Sequence, residues 1–230
     1  MEKHPKVLVG CPTSDYHEYA LQQYADSIKK LTYKNHDILL VDNSKDNIYF
    51  EKIKFLGINV IKGPWFESAR ERIIASRNIL RQKALDEGYD YFLSLEQDVL
   101  PPLDIIERLL NAKKRVISGI YFTAVTINNE TRILPVIWSK ISGEYRHVMQ
   151  PEELNKGVKL VAVTGLGCVL IHRLVLKDIK FRYEEQYPAF DDIYFGLDCK
   201  GKKINIYADT NLICKHLIKD RPWKWSNIKS

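Results

Sequence analysis

The sequence predicts an α/β sandwich on one central sheet, mainly parallel but mixed. Three observations predict it. Apolar, strand-like runs alternate with helix-periodic segments through the first 120 residues. Polar residues gather where those runs end. No repeat, low-complexity segment or linker divides the chain, so residues 1–217 read as one domain followed by a basic, Trp-containing tail, 218–230.

The elements follow in order. "KVLVGCPT" (6–13) is a buried strand that closes on a loop. From Tyr16 to Leu31 the positions Ala20, Tyr24, Ile28 and Leu31 keep helical spacing, with Ser14 or Asp15 as cap. "HDILLVDNSKDN" (36–47) is a second strand running into a polar turn. "INVIKGP" (58–64) is a third, stopped by Gly63-Pro64. Ser68 to Glu87 is the strongest helix: Ala69, Ile73, Ser76, Leu80 and Ala84 form its stripe and Gly88 its stop. "DYFLSLEQDVLPP" (90–102) is strand four. "LDIIERLLNA" (103–112) is helical and "RVISGIYF" (115–122) a further strand. Segment 123–157 is read only as far as a hairpin around Ser142-Gly143. "VKLVAVTGLGCVLIHRLVL" (158–176) is apolar and broken by Gly165 and Gly167, and "KINIYADTNLICKHL" (203–217) gives one or two strands.

Composition narrows the classes. Apolar residues make up 45% of 230, enough for a substantial core, and the net charge is +6. Residues 215–230 hold five basic residues and one acid. Such charge suits anionic small molecules, an anionic membrane surface or nucleic acid without choosing among them. Cys11, Cys168, Cys199 and Cys214 form no C-x-x-C pair, so free, mostly buried thiols are expected rather than a zinc cage. No apolar run reaches the ~18 residues of a membrane span and no secretory leader opens the chain. The expectation is a soluble, cytoplasmic protein.

In an open parallel sheet the ligand crevice lies beyond the carboxyl ends of the strands. Pro12-Thr13, Asp42-Asn43-Ser44 and Glu96-Gln97-Asp98 all fall there and are expected to converge. If Glu96 and Asp98 continue the strand they share a face, with Gln97 on the other. Adjacent carboxylates repel unless a cation stands near them, and Mg²⁺ is commonly held by one or two carboxylates with phosphates and water. An acid-x-acid pair alone is more often a solvated turn. Its place between a core strand and Pro101-Pro102 favours a metal-diphosphate site. Asp191 and Asp192, flanked by Phe190 and Ile193, are equally a general base at a pocket rim or ordinary acids at a helix start. His216 is a structural histidine or a ligand.

Taken together, "VLVGCPT", "ILLVDNSKD", "SARERIIASRNILRQKALDEGYDYFLSLEQDVLPP", "VTGLGCVLIHR", "FDDIYFG" and "IYADTNLICKHL" resemble a nucleotide-diphosphosugar glycosyltransferase of the GT-A fold, close to the large family-two-like group. The likeness runs over about residues 6 to 217. It implies that the chain moves a hexose from a UDP- or GDP-sugar to a hydroxyl acceptor, with Mn²⁺ or Mg²⁺. By this resemblance Pro12, Thr13, Asp42, Arg77, Asn78 and Gln97 would serve the nucleotide. Glu96 and Asp98 would stand in for the family's D-x-D motif, with His216 joining the metal or diphosphate. Asp191 or Asp192 would be the base. Gly165 and Gly167 would let the backbone pass close to sugar or acceptor, and Tyr121, Tyr183, Tyr187 and Tyr194 are aromatics able to stack on an acceptor sugar. Glu-x-Asp departs from Asp-x-Asp by one methylene, which leaves metal preference open and allows Glu96 to act through water.

A nucleotidyltransferase shares the metal-diphosphate logic but opens on a Gly-rich basic loop, which "GCPTSDYHEY" lacks. A pseudoenzyme that binds the sugar nucleotide without turnover is the non-catalytic alternative. A nucleic-acid module is disfavoured because Lys and Arg are scattered and no compact recognition motif is present. The tail is a solvated terminus, a lid bringing Lys215, Lys219 and Arg221 to the donor, or a peripheral membrane contact through Trp223 and Trp225.

Overall fold

The computed structural model describes residues 4–127, 129–141, 144–147, 154–186 and 189–219. Val7–Thr13 is β1. A 3-10 segment, Asp15–Ala20, leads into α1 (Leu21–Ile28), followed by β2 (His36–Asp42), α2 (Ile48–Phe55), β3 (Val60–Lys62) and α3 (Ala69–Asp86). Then come β4 (Tyr91–Leu95), β5 (Val99–Leu100), α4 (Ile105–Asn111), β6 (Val116–Ile120), β7 (Phe122–Ile127), β8 (Glu130–Pro135), β9 (Ile137–Ile141) and β10 (Glu144–His147). The chain closes with β11 (Val158–Val161), β12 (Val163–Thr164), β13 (Cys168–His172), α5 (Arg173–Asp178), α6 (Asp191–Gly201), β14 (Ile206–Ile213) and β15 (Lys215–His216).

Eight strands form the central sheet in the order β11-β14-β6-β13-β4-β1-β2-β3. β3, β2, β1 and β4 pair in parallel, as do β6 and β14, while β13 runs antiparallel between β4 and β6 and β11 antiparallel to β14. The sheet is therefore mixed and mainly parallel, as the alternation of elements predicts. Side-chain alternation along β1 sends Val7, Val9 and Cys11 to one face and Leu8 to the other. The first face packs against α1, α2 and α4 through Tyr24, Ile28, Ile53, Ile106 and Leu109. The second packs against α3, α5 and α6 through Leu80, Ala84, Leu176 and Phe195. The result is an α/β/α sandwich.

Several local readings change. Residues 16–31 are not one helix. Ser14 makes no side-chain cap bond, and Ser44 Oγ instead accepts from the Asp15 amide at 2.8 Å, which holds the entry as a 3-10 turn before α1 begins. α2 was not expected; Tyr49 and Ile53, four apart, are the residues it buries. In α3 the Ser68 cap, accepting from Glu71 N, and the Gly88 stop at φ +74° stand as expected. Its buried face, however, includes Arg77 and Arg81, while Ala69 is exposed. Arg81 is held by the Ile179 carbonyl, with Nε donating at 2.8 Å. Segment 123–157 contains the β7–β8 hairpin and the antiparallel pair β9–β10, and β9 also pairs with β12; Ser142 and Gly143 themselves lie outside the described residues. All four cysteines are free and buried, as expected, and burial raises the Cys11 thiol well above its usual range. Among the described residues no helix is long and apolar enough to cross a membrane. The tail beyond Lys219, with Arg221, Trp223 and Trp225, and Tyr187 lie outside the described residues.

Candidate functional site

From β1 the sheet grows outward through β2 to β3, and β4 then returns to the other side of β1. That reversal makes a topological switch point, where a crevice opens beyond the strand ends. A cleft of about 280 Å³ lies there. Its walls come from the end of β1 (Pro12), the residues after β4 (Glu96, Gln97), Tyr121 after β6, Ile73 and Arg77 on α3, and Asp191-Asp192 at the start of α6.

The Glu96–Asp98 stretch does not continue the strand. β4 ends at Leu95, and the Val99 amide donates to the Glu96 carbonyl at 2.9 Å, so the three polar residues form a tight turn. Strand alternation therefore does not apply to them, and the two carboxylates take different partners. Glu96 Oε1 accepts from Arg77 at 2.8 Å. Asp98 Oδ2 lies 3.3 Å from His216 Nε2, 3.5 Å from the Tyr19 hydroxyl and 3.9 Å from His17 Nε2. Gln97 turns inward. Its carbonyl oxygen accepts from Thr13 Oγ1 and, at 2.7 Å, from the Tyr49 hydroxyl, and its amide donates to the His17 carbonyl at 2.8 Å. This one side chain thus ties the ends of β1 and β4 and the 3-10 turn together.

Arg77 is 1% exposed and is the centre of the polar wall. Nε donates to Asp191 at 2.7 Å and Nη2 to Glu96. Burial alone would lower its pKa; the charges of Asp191 and Glu96 outweigh that and raise it. Asp191 is thereby committed to an ion pair. Asp192 is not. Burial, first, and the neighbouring charge of Asp191, next, push its carboxyl up to about 6. Of the two acids, Asp192 is the one poised to exchange a proton near neutrality. Asp98 shows the opposite balance: burial raises it, but the hydrogen bond and charge of His216 offset this and hold it below the usual range. His216, lowered by burial, is raised by Asp98.

Other expected site residues lie elsewhere. Asp42 is fully buried, Oδ1 accepting from the Ser44 amide and hydroxyl and Oδ2 from Lys62 Nζ at 2.9 Å, so reading a base edge requires it to give up a partner. Asn78 does not face the cleft: its amide donates to the Phe181 carbonyl at 2.8 Å and accepts from the Phe181 amide at 3.1 Å. It pins the segment before α6 to α3. Gly165 and Gly167 accommodate Tyr121 rather than a substrate, for a Cβ at Gly165 would lie 2.1 Å from the Tyr121 hydroxyl, which accepts from Gly167 N. Gly165→Ala is expected to destabilise the fold by about 1–3 kcal/mol through overpacking. Urea denaturation checks this, and the cost should shrink in a Tyr121→Phe background. His17 was not anticipated as a site residue. It lines the cleft, and its Nδ1 is buried without a hydrogen-bond partner among the described residues. Its position four residues past a strand, inside a stretch with helical spacing, gave no local signal.

Of the expected metal ligands, the structure brings Asp98 and His216 together. His216 Nδ1 contacts the Phe122 carbonyl at 2.8 Å, which turns Nε2 toward Asp98. His216 Nε2 and Asp98 Oδ2, 3.3 Å apart, pair with each other, so a metal held by them would have to displace that contact and the histidine proton. Glu96, paired with Arg77, is not part of that arrangement. Among the described residues no three or more His, Cys, Asp or Glu side chains form a metal-holding group, so phosphate and water would have to complete the shell.

Comparison with known proteins adds the fold alone. The chain superposes on the crystal structure of A197 from STIV with a TM-score of 0.50 at 18% identity, over 93% of this chain and 86% of that one. No family matches the sequence, and no curated protein is significantly similar to it. The agreement extends over nearly the whole chain and concerns the α/β fold alone.

Proposed function

We propose that the chain is a glycosyltransferase that transfers a hexose from a UDP- or GDP-sugar to a hydroxyl acceptor. One observation carries the reading: at the switch-point cleft, a carboxyl near pKa 6 shares the lining with His17 and with Arg77, whose positive charge is held between Asp191 and Glu96. Glycosyl transfer needs both. The acceptor hydroxyl must lose a proton as its oxygen bonds to the sugar carbon, and the departing diphosphate takes the electrons of the sugar–phosphate bond.

Asp192 receives the proton. Arg77 keeps Asp191 and Glu96 in place, so their charges hold Asp192 basic enough to do so. Asp98 and His216 would hold Mn²⁺ or Mg²⁺, which supplies Lewis-acid charge to the leaving diphosphate. Gln97 fixes the strand ends against which the nucleoside would lie. This assignment of Asp192 corresponds to inversion at the sugar carbon. The exposed Phe190, which lines the cleft, offers stacking surface for an acceptor sugar.

The test is release of UDP or GDP from common sugar conjugates, with Mn²⁺ and a panel of sugar acceptors. Turnover that fails in Asp192→Asn while donor binding persists supports transfer with Asp192 as base. Tight donor binding without turnover in the wild-type protein under every condition makes the chain a sugar-nucleotide-binding pseudoenzyme.

A further inference from the structure

A second, larger cleft of about 980 Å³ lies at the opposite edge of the sheet, where β1, β2 and β4 begin. The seven residues of β1 put about 20 Å between the two clefts. Loops from different parts of the chain build it. Lys34 comes from the α1–β2 loop, Lys113 and Arg115 from the α4–β6 loop, and His172 from the end of β13. Tyr33, Tyr91 and Leu110 give it apolar walls.

Two features are unexplained by folding. Lys34, Lys113 and Arg115 are exposed and form no ion pair among the described residues. Lys113 can complement the carboxyl end of α4, which it follows; Lys34 and Arg115 stand on other segments and have no such role. The second is Glu107. Its Oε1 accepts from the Thr32 hydroxyl at 2.7 Å, but Oε2 is buried with no partner among the described residues. A buried carboxylate oxygen in a cleft wall calls for a donor.

We propose that this cleft binds a small organic phosphate: its phosphate is held by Arg115, Lys113 and Lys34, and a hydroxyl or amino group donates to Glu107. The cations favour an anion in the cleft. Glu107 disfavours a bare anion beside it and suits a ligand that also carries a donor. The tyrosines accept a flat or sugar ring between these ends, and the cavity volume falls within the range of small-molecule sites. A sugar phosphate and a nucleoside monophosphate share this chemistry. The inference is independent of what the switch-point cleft does.

Calorimetric titration with AMP, ribose 5-phosphate and inorganic phosphate tests it, on the wild type, on Lys113→Glu/Arg115→Glu, on Glu107→Gln and on Asp98→Ala. At least one organic phosphate is expected to bind tenfold or more tightly than inorganic phosphate. Binding should weaken at least tenfold in the double charge variant and stay unchanged in Asp98→Ala. Glu107→Gln should weaken the organic phosphate more than inorganic phosphate. AMP ahead of ribose 5-phosphate identifies a nucleotide, and equal affinities a sugar phosphate. Both exchanged cations are exposed, so circular dichroism should show the charge variant folded. No organic phosphate binding above inorganic phosphate overturns the proposal, as does binding lost in Asp98→Ala and retained in the charge variant.

Discussion

Asp192→Asn will stabilise the protein at pH 8 and remove the proposed transferase activity. The carboxyl has a pKa of about 6 in the fold against 3.8 for a freely solvated aspartate. Between those values the native state holds a proton that the unfolded chain has released. Stability therefore falls as pH rises through this window, by up to roughly 3 kcal/mol above it. Asparagine carries no charge and avoids the loss, so the variant should unfold at higher denaturant at pH 8, and the two proteins should converge near pH 4. Activity should fall by at least about a hundredfold, the scale of a missing general base. Such exchange of stability for function marks groups kept in place for chemistry. Denaturation curves at pH 4, 6 and 8 decide it. A gap that does not change with pH would mean that packing, not charge, distinguishes the two side chains.

The second large effect is at Arg77. Arg77→Met will leave Asp191, 3% exposed, without its cation, and Glu96, which is more exposed, without its ion-pair partner. Breaking a buried pair from one side costs about 3–5 kcal/mol, because the remaining charge stays desolvated. Arg77→Met with Asp191→Leu should recover most of that, since an apolar pair of similar volume removes both charges together. Urea denaturation of both variants measures the difference. A cost below about 1 kcal/mol for the single variant would show that water reaches Asp191 and that Arg77 does not organise the cleft. Because Asp191 and Glu96 set the charge around Asp192, the double variant should also lower the pH at which Asp192 titrates.

Much of the fold was legible because its signals are local. "YFLSL" buries Phe92 on one face of the sheet and Leu93 and Leu95 on the other, and Gly88 with φ +74° ends α3 where the sequence said it would. The crevice was legible for the same reason: Pro12 and the Glu96–Asp98 turn follow apolar runs, and topology then places such residues together. What was not legible depends on distant partners. Glu96 and Asp98 look alike in sequence, yet one meets Arg77 on α3 and the other His216, 118 positions away. Asp191 and Asp192 are adjacent and differ because Arg77, 114 positions from Asp191, reaches one of them. The polar stripe of α3 concealed two buried arginines, whose burial is possible only because Asp191, Glu96 and the Ile179 carbonyl receive their donors. Asn78 looked like a ligand-facing amide, but two reciprocal hydrogen bonds to Phe181 make it a clamp.

The most direct measurement is a calorimetric titration of UDP and of GDP, with and without Mn²⁺, on the wild type and on Asp98→Ala. The account predicts that one nucleotide binds, that Mn²⁺ strengthens binding at least tenfold, and that Asp98→Ala abolishes the Mn²⁺ dependence while the protein stays folded. Binding of neither nucleotide in the presence of Mn²⁺ would contradict it.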